Sequence, residues 1–249
     1  LALALALLAF ALWVRLEGKA WRPVLFVPIG FVVWLCHASG WGVLGVMVFG
    51  YEWSRDKSWR AFVAPWPLIF PIVPMLMADG ARGSLNFGDH VVRYKFSVFF
   101  KSLRDTNVWL DLGSLALVFV FLRVGLRRRA FDGRLGWAAL GLFALAIVMP
   151  RHFGGGDYAD YRLFPVALML ACLSVDWKAG RGVMVALSAL FLVRLAATSV
   201  TWHQQSEEIA EALDVMDAIP RGATVAGAVA IDFGHWPLNP MEHVQGYAT

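Results

Sequence analysis

Seven apolar runs, separated by polar connections, account for most of the first 200 residues. They cover residues 1–16, 24–51, 61–78, 108–126, 135–150, 163–175 and 183–200. A helix needs about 20 mostly apolar residues to cross a hydrocarbon core that is ~30 Å thick. The pattern therefore predicts an all-α transmembrane helical bundle over residues 1–200, with about six or seven spans.

The second run, residues 24–51, is longer than one span requires. It contains Pro28, His37, Gly40 and Gly42, so it is either one long tilted helix or a broken one. Each half of the run is too short to cross a bilayer. We therefore expect a single helix here.

Residues 90–105 predict a helix of another kind. The apolar side chains of Val92, Phe96, Phe99, Phe100 and Leu103 share one helical face, and Arg93, Ser97, Lys101 and Arg104 share the other. This pattern is typical of an amphipathic helix that lies in the membrane interface. Two interpretations stay open: the helix packs over the bundle, or its basic face attracts a lipid phosphate.

The tail, residues 201–249, reads as the start of a small α/β domain. Ser206 is a suitable N-cap with Glu207 and Glu208 in the first turn, and residues 223–231 predict a short strand. This piece is too short for a complete domain, and the chain opens at Leu1 inside an apolar run. We therefore expect the sequence to be truncated.

Composition excludes a soluble globular domain. Hydrophobic residues make up 59% of the chain and charged residues only 16%, whereas soluble domains average about 25% charged residues. The net charge of +4 reports orientation first, because cytoplasmic loops of membrane proteins collect Lys and Arg. No nucleic-acid partner is expected.

The charges of the connections predict which ones are cytoplasmic. Residues 123–134 carry five arginines and one aspartate, which favours the cytoplasmic side. Alternation then puts residues 150–162 outside, together with a tail that holds seven acids and one base. It also puts residues 15–22 outside, where three bases against one acid have the wrong sign, so we expect the charge rule to fail there.

Residues 150–162 hold the main candidate binding side chains. They are Arg151, His152, Asp157, Tyr158, Asp160 and Arg162, beside the triple glycine of residues 154–156. Arginine forks match phosphate oxygens, tyrosine offers a flat face to a sugar, and glycine permits close backbone approach. This set suits a phosphorylated or glycosylated substrate. The alternative is a hydrated loop in which Asp160 pairs with Arg162 or Arg151.

Other polar residues occur singly within the apolar runs. His37 is a second candidate, because ionisable groups at membrane depth normally face a cavity or the bundle interior, although a purely structural role is the alternative. Arg194 is expected to anchor its helix by reaching the interface. We interpret Cys36 and Cys172 as small buried hydrophobic residues.

No motif for a heme, zinc or ATP site occurs, so no cofactor is predicted and a divalent-metal requirement stays open.

Three short motifs resemble the C-terminal half of the GT-C superfamily, bacterial membrane glycosyltransferases that use polyprenyl-phosphate-linked sugars. The first is Cys36-His37 with Trp41, Gly42 and then Glu52; the others are Gly156 to Pro165, and Ile219 to Val225 followed by His243 to Ala248. The resemblance implies a multi-pass enzyme of the bacterial inner membrane with an extracytoplasmic C-terminal segment.

The same resemblance implies how the chain would work. Its partners would be the bilayer and a lipid-linked sugar carrier, bound by the candidates of residues 151–162, with weaker roles for His37 and His243. The catalytic acid of the family lies in an external loop that would precede Leu1, so no catalytic residue is assigned. The alternatives are a transporter or flippase for a lipid-linked substrate and a non-catalytic assembly subunit. Polar residues crowd the outer loops rather than the span centres, which favours interface chemistry over transport.

Overall fold

The structure is a computed structural model, which describes residues 1–77, 85–152 and 157–216 and, in the tail, residues 218–220, 222–224, 226, 228, 236–237 and 239–241. It divides into two compact units. The first comprises Leu1–Ser102 with Leu117–Trp177, and the second comprises Leu103–Ala116 with Lys178–Thr249.

The described residues are helical and contain no strand. The elements are α1 (Ala2–Arg15), α2 (Arg22–Cys36), α3 (Ala38–Arg55), α4 (Arg60–Val63), a 3-10 turn (Trp66–Leu68), α5 (Ile72–Met77), α6 (Val91–Phe100), α7 (Val108–Arg127), α8 (Gly133–Val148), α9 (Leu163–Leu173) and α10 (Arg181–Met216). Two of these helices, α7 and α10, are long and apolar enough to cross a membrane, and α1, α2, α8 and α9 are shorter apolar helices.

Helices α1, α2 and α3 run up, down and up. An ideal Cβ on Gly40, near the start of α3, would lie 2.9 Å from the Cβ of Ala2, at the start of α1. Toward the other end, the Trp13 indole N–H donates to Glu52 Oε1 at 2.8 Å. Arg22, which begins α2, binds the same carboxylate at 2.9 Å. Helices α1 and α3 are therefore parallel, and α2 runs antiparallel to both.

The run at residues 24–51 consequently forms two helices rather than the single one we expected. The chain is fully extended at His37, with φ −179° and ψ 134°. Its Nδ1 accepts a hydrogen bond from the Ser39 backbone N–H at 3.1 Å, which caps the new helix. The break comes at this cap, whereas Pro28 lies inside the intact α2.

The run at residues 61–78 also differs from the expected span. Its described part is divided into α4, the 3-10 turn and α5. Four prolines, Pro65, Pro67, Pro71 and Pro74, remove backbone donors within ten residues, so a continuous helix cannot form. Residue 78 lies outside the described residues.

Helices α8 and α9 complete the first unit. The Asp132 N–H donates to Ser174 O at 2.7 Å, and the Asp176 N–H donates to Ala130 O at 2.9 Å. These bonds join the turn before α8 to the residues that follow α9, so the two helices are antiparallel. The start of α8 also packs on the last turns of α3, because Gly50 lies against the backbone of Ala138.

Three connections of the first unit with net positive charge therefore share one end, termed the basic end: residues 15–22, 52–60 and 123–134. Residues 174–177 lie at the same end. The opposite end, termed the polar end, holds residues 36–38, 149–152 and 157–162, because Arg162 approaches His37 to 3.1 Å. Residues 15–22, whose charge conflicted with simple alternation, lie with the other basic connections because α2 and α3 form a hairpin.

In the second unit, α10 continues without interruption to Met216. Ser206 therefore lies inside this helix and is not an N-cap, and the run at residues 183–200 is only part of it. Most residues of the predicted strand at 223–231 lie outside the described residues. Arg194 pairs with Asp111, which is 2% exposed, at 2.8 Å, and it also donates to Ser114 Oγ at 3.0 Å. Arg194, itself 23% exposed, thus pairs with a buried carboxylate of its own unit.

Candidate functional site

The polar end brings together most of the predicted binding residues. Those that the structure describes are Arg151, His152, Asp157, Tyr158, Asp160 and Arg162, with His37 at the same end. His243 and the glycines of residues 154–156 lie outside the described residues. The described side chains form three groups, which differ in burial and in how fully their charges are paired.

The first group is a buried brace around Asp160, which is 0% exposed. Its carboxylate accepts hydrogen bonds from Lys95 Nζ at 2.6 Å, the Tyr94 hydroxyl at 3.1 Å and the Tyr161 N–H at 2.9 Å. A buried carboxylate is tolerated when it is paired and hydrogen-bonded in this way. Asp160 therefore positions the loop against α6, and neither Arg151 nor Arg162 is its partner.

Lys95 ties the brace to α8 as well. Besides Asp160, its ammonium donates to Ala146 O at 2.8 Å and to Met149 O at 2.5 Å, at the end of that helix. Burial, followed by the negative charge of Asp160, raises the pKa of Tyr94 above its usual range, so this hydroxyl remains a donor. Sequence reasoning missed Tyr94 and Lys95. The signal that could have identified them is their position on the helix: they belong neither to the apolar face nor to the basic face, although both side chains are polar.

The second group is centred on Arg151 and Asp157. The Arg151 guanidinium donates to Asp157 at 3.1 Å and to the Tyr158 hydroxyl at 2.9 Å, and it lies 4.5 Å from the Tyr158 ring centre. His152 Nδ1 lies 3.3 Å from the same carboxylate. Burial opposes ionisation of Asp157, but hydrogen bonds from Arg151 and the Tyr158 N–H, with the charges of Arg151 and His152, lower its pKa. The charges of Arg151 and Asp157 therefore largely neutralise each other within this group.

The third group is the exposed pair of Arg162 and His37, at the N-terminal ends of α9 and α3. The Ser39 N–H and the Ser39 Oγ lie 3.1 and 2.9 Å from His37 Nδ1, so the ring proton is on Nε2 when Nδ1 accepts and on Nδ1 when Nδ1 donates to Oγ. Arg162 Nη1 lies 3.1 Å from this Nε2. When Nδ1 accepts, His37 Nε2–H and the Arg162 guanidinium present two adjacent N–H donors; when Nδ1 donates, Nε2 accepts from Arg162. No carboxylate in the described part of the chain pairs with Arg162.

Such an arrangement matches an anion. With the ring proton on Nε2, one oxygen placed between Nε2 and the guanidinium would accept from both donors. The N-termini of the two helices also carry partial positive charge, which favours an anion nearby. Of the three groups, the exposed pair is the one whose arginine has no carboxylate partner among the described residues.

The predicted amphipathic helix is observed as α6, shorter than residues 90–105. Val92, Phe96 and Phe100 are exposed along one side, while Lys95 points to the opposite side and into the brace. Phe99 departs from the predicted apolar face, because its ring packs inside the unit against Phe143 and Phe164, with ring centres 6.0 and 5.8 Å away. The helix thus has an apolar outer side and an inner side that combines the polar Tyr94 and Lys95 with the ring of Phe99.

Within the described residues, no group of three or more His, Cys, Asp or Glu side chains could hold a metal ion. Cys36 is exposed, Cys172 is half-buried, and both are free thiols. Comparison of the chain with protein-family models, with curated proteins and with solved structures finds no match.

Proposed function

We propose that the protein is a multi-pass membrane protein whose polar end binds the phosphate of a polyprenyl-phosphate-linked sugar, as the carrier-binding part of a glycosyltransferase of the GT-C type. The observation that carries this proposal is the solvent-exposed pair of Arg162 and His37, whose guanidinium and Nε2 lie 3.1 Å apart and which no carboxylate neutralises within the described residues.

Charge distribution supports the membrane orientation. Three connections at the basic end carry an excess of Lys and Arg: residues 15–22, 52–60 and 123–134. Cytoplasmic loops have this bias, so the polar end would face the outside. The apolar surface of α10 supports membrane insertion, because Val185, Phe191 and Leu192 are all exposed, and soluble monomers rarely expose large contiguous apolar patches.

The donor pair supports phosphate as the ligand rather than a carboxylate or a neutral sugar. An arginine fork presents parallel N–H groups that fit two phosphate oxygens. Tyr158, in the same loop, is partly exposed and offers an aromatic face to a sugar ring. The apolar outer side of α6 suits the bilayer depth at which a lipid-linked phosphate lies.

The chemistry of transfer defines a role for this pair. When the bond between the anomeric carbon and the phosphate oxygen breaks, the departing lipid phosphate gains negative charge. Preorganised N–H donors stabilise that charge in the transition state. The acceptor hydroxyl must also lose a proton to a base. Asp160 is buried and Asp157 is paired with Arg151, so the proposal assigns this base to neither of them.

Binding of polyprenyl monophosphate, compared with uncharged polyprenol, tests the proposal in nanodiscs. Loss of a hydrogen bond to a charged group costs about 1.5–3 kcal/mol, so Arg162→Ala is expected to weaken phosphate binding about 10- to 100-fold. His37→Asn keeps the helix cap but removes the Nε2 donor, and about a threefold to tenfold loss is expected. Polyprenol binding should not change.

Arg60→Ala is the matched control, because Arg60 is exposed at the basic end and forms no ion pair within the described residues. It should alter binding less than about twofold. The proposal fails if Arg162→Ala binds polyprenyl monophosphate as tightly as the unchanged protein, or if polyprenol binds equally well. A flippase would bind the same phosphate, and sugar transfer by the full-length protein separates the two activities.

A further inference from the structure

An apolar groove opens on the first unit near the basic end, away from the polar end. It has a volume of about 410 Å³ and lies between the second half of α7 and helices α8 and α9. This volume falls within the range of about 300–1,000 Å³ that is usual for small-molecule sites. The groove belongs to none of the three groups described above.

The groove is lined almost entirely by carbon. Leu122, Leu126, Trp137, Leu140 and Phe143 form much of its wall. Ser174 also lines it, but its hydroxyl donates to Ala171 O in its own helix. Leu126 and Leu140 are exposed along the opening. The groove therefore suits a hydrocarbon chain and offers nothing to a polar headgroup.

Small residues create the space. Gly133 and Gly136 lie on the groove side of α8, and a Cβ added at Gly136 would meet no atom within 4 Å. Larger side chains at these positions would fill the cavity. The opening is thus a consequence of the α8 sequence.

One end of the groove carries concentrated positive charge. Its wall includes Leu126 and Phe131, and the turn between them holds three consecutive exposed arginines, residues 127–129. The nearby carboxylate of Asp132 pairs with Arg134, at 2.5 Å, and not with these three arginines. Asp176 lies beside the turn through its backbone bond to Ala130 but forms no ion pair with these arginines. The three arginines have no carboxylate partner among the described residues.

From this charge complementarity we infer that the groove binds an anionic phospholipid, with an acyl chain between α7, α8 and α9 and the headgroup phosphate on Arg127, Arg128 and Arg129. The Arg128 guanidinium already lies 4.8 Å from the Trp177 ring, which holds it near the turn. The ligand is an amphiphile with one negative end, as the carbon wall and the cationic turn together require.

Native mass spectrometry of the purified chain tests this site, with phosphatidylglycerol and phosphatidylcholine of identical acyl chains as probes. Phosphatidylglycerol should bind more tightly. The triple variant R127Q/R128Q/R129Q should lower its affinity about a hundredfold, to the level of phosphatidylcholine. The control R15Q/K19Q/R60Q removes three cations elsewhere at the basic end and should leave the preference intact.

Filling the groove tests the acyl-chain part separately. Gly136→Leu should weaken both lipids alike, by about tenfold, whereas Gly45→Leu, a helical glycine that also has open space around its Cβ, should weaken neither. If Gly136→Leu does not fold, Leu140→Trp narrows the same opening from its exposed edge. Equal affinity for the two lipids overturns the inference. So does an unchanged preference in the triple arginine variant, or a second copy of the chain bound in place of lipid.

Discussion

Removing the carboxylate of Asp160 tests how the polar end is held together. Asp160 is 0% exposed and Lys95 is 11% exposed, with 2.6 Å between their charged atoms. In Asp160→Asn the ammonium keeps its two carbonyl partners in α8 but loses its counter-charge. Breaking a buried ion pair costs about 3–5 kcal/mol, because the remaining charge stays buried without compensation. We expect a loss of that size in the free energy of unfolding.

Equilibrium unfolding in mixed detergent micelles measures this loss. The matched control is Asp132→Asn, because Asp132 also pairs with a cation, Arg134, but the two side chains are 29% and 55% exposed. Exposed pairs contribute about 0–1 kcal/mol. The double variant K95M/D160N should cost less than the sum of its single variants by about 0.5–3 kcal/mol. A loss in Asp160→Asn no greater than that in Asp132→Asn would refute the buried brace.

Three other predictions follow from packing, charge and topology. Gly50→Ala should destabilise the protein by about 1–3 kcal/mol, since the new Cβ would lie 2.6 Å from the Cα of Ala138 in α8. Gly45→Ala, where the new Cβ has open space, should stabilise it by about 0.5–1 kcal/mol. Thermal unfolding measures both changes, and equal changes in the two variants would contradict the contact between α3 and α8. Because the folded pKa of Asp157 is lowered from 3.8, its contribution to stability is present above that value and is lost as the pH falls through the lowered pKa. The difference in stability between the unchanged protein and Asp157→Asn should therefore shrink under acid, and a constant difference from pH 6 to pH 2 would count against the Arg151 pairing. Leu85 lies at the polar end, because the backbone of its neighbour Asn86 pairs with His152. In a C36S/C172S background, which removes both native thiols, a membrane-impermeant thiol reagent should therefore label Leu85→Cys but not Lys19→Cys in intact cells, and the reverse pattern would invert the proposed orientation.

Apolar periodicity predicts most of the helices, because a helix that packs in a core or inserts into a bilayer needs a long run of mostly apolar residues. It does not predict where a long run divides. The break at His37 depends on a side-chain cap that competes with a continuous helix. The packing of α1 against α3 and the ion pair between Arg22 and Glu52 stabilise the resulting hairpin. The prolines between residues 65 and 74 were a readable signal, since each one removes a backbone donor. At Ser206 the sequence signal was misleading, because this residue type favours a helix start but lies here in the interior of α10, which continues to Met216.

The candidate site was predictable in composition but not in pairing. The sequence indicates that residues 151–162 gather charged and aromatic groups at one end. Which of them stay free depends on partners distant in the chain. Lys95, which lies 65 residues earlier in the sequence, pairs with Asp160, and Arg151 pairs with Asp157. Arg162 consequently has no carboxylate partner among the described residues. His37 meets Arg162 across 125 residues, because the α2–α3 hairpin returns the chain to the polar end.

The most direct test of the central claim is a solid-state NMR distance between the ³¹P nucleus of bound polyprenyl monophosphate and the side-chain nitrogens of His37 and Arg162. One oxygen that accepts from both donors places each nitrogen about 4 Å from phosphorus, a hydrogen bond plus one P–O bond. We predict ³¹P dephasing of both His37 Nε2 and the Arg162 guanidinium nitrogens. Bound carrier that dephases neither nitrogen would contradict the account.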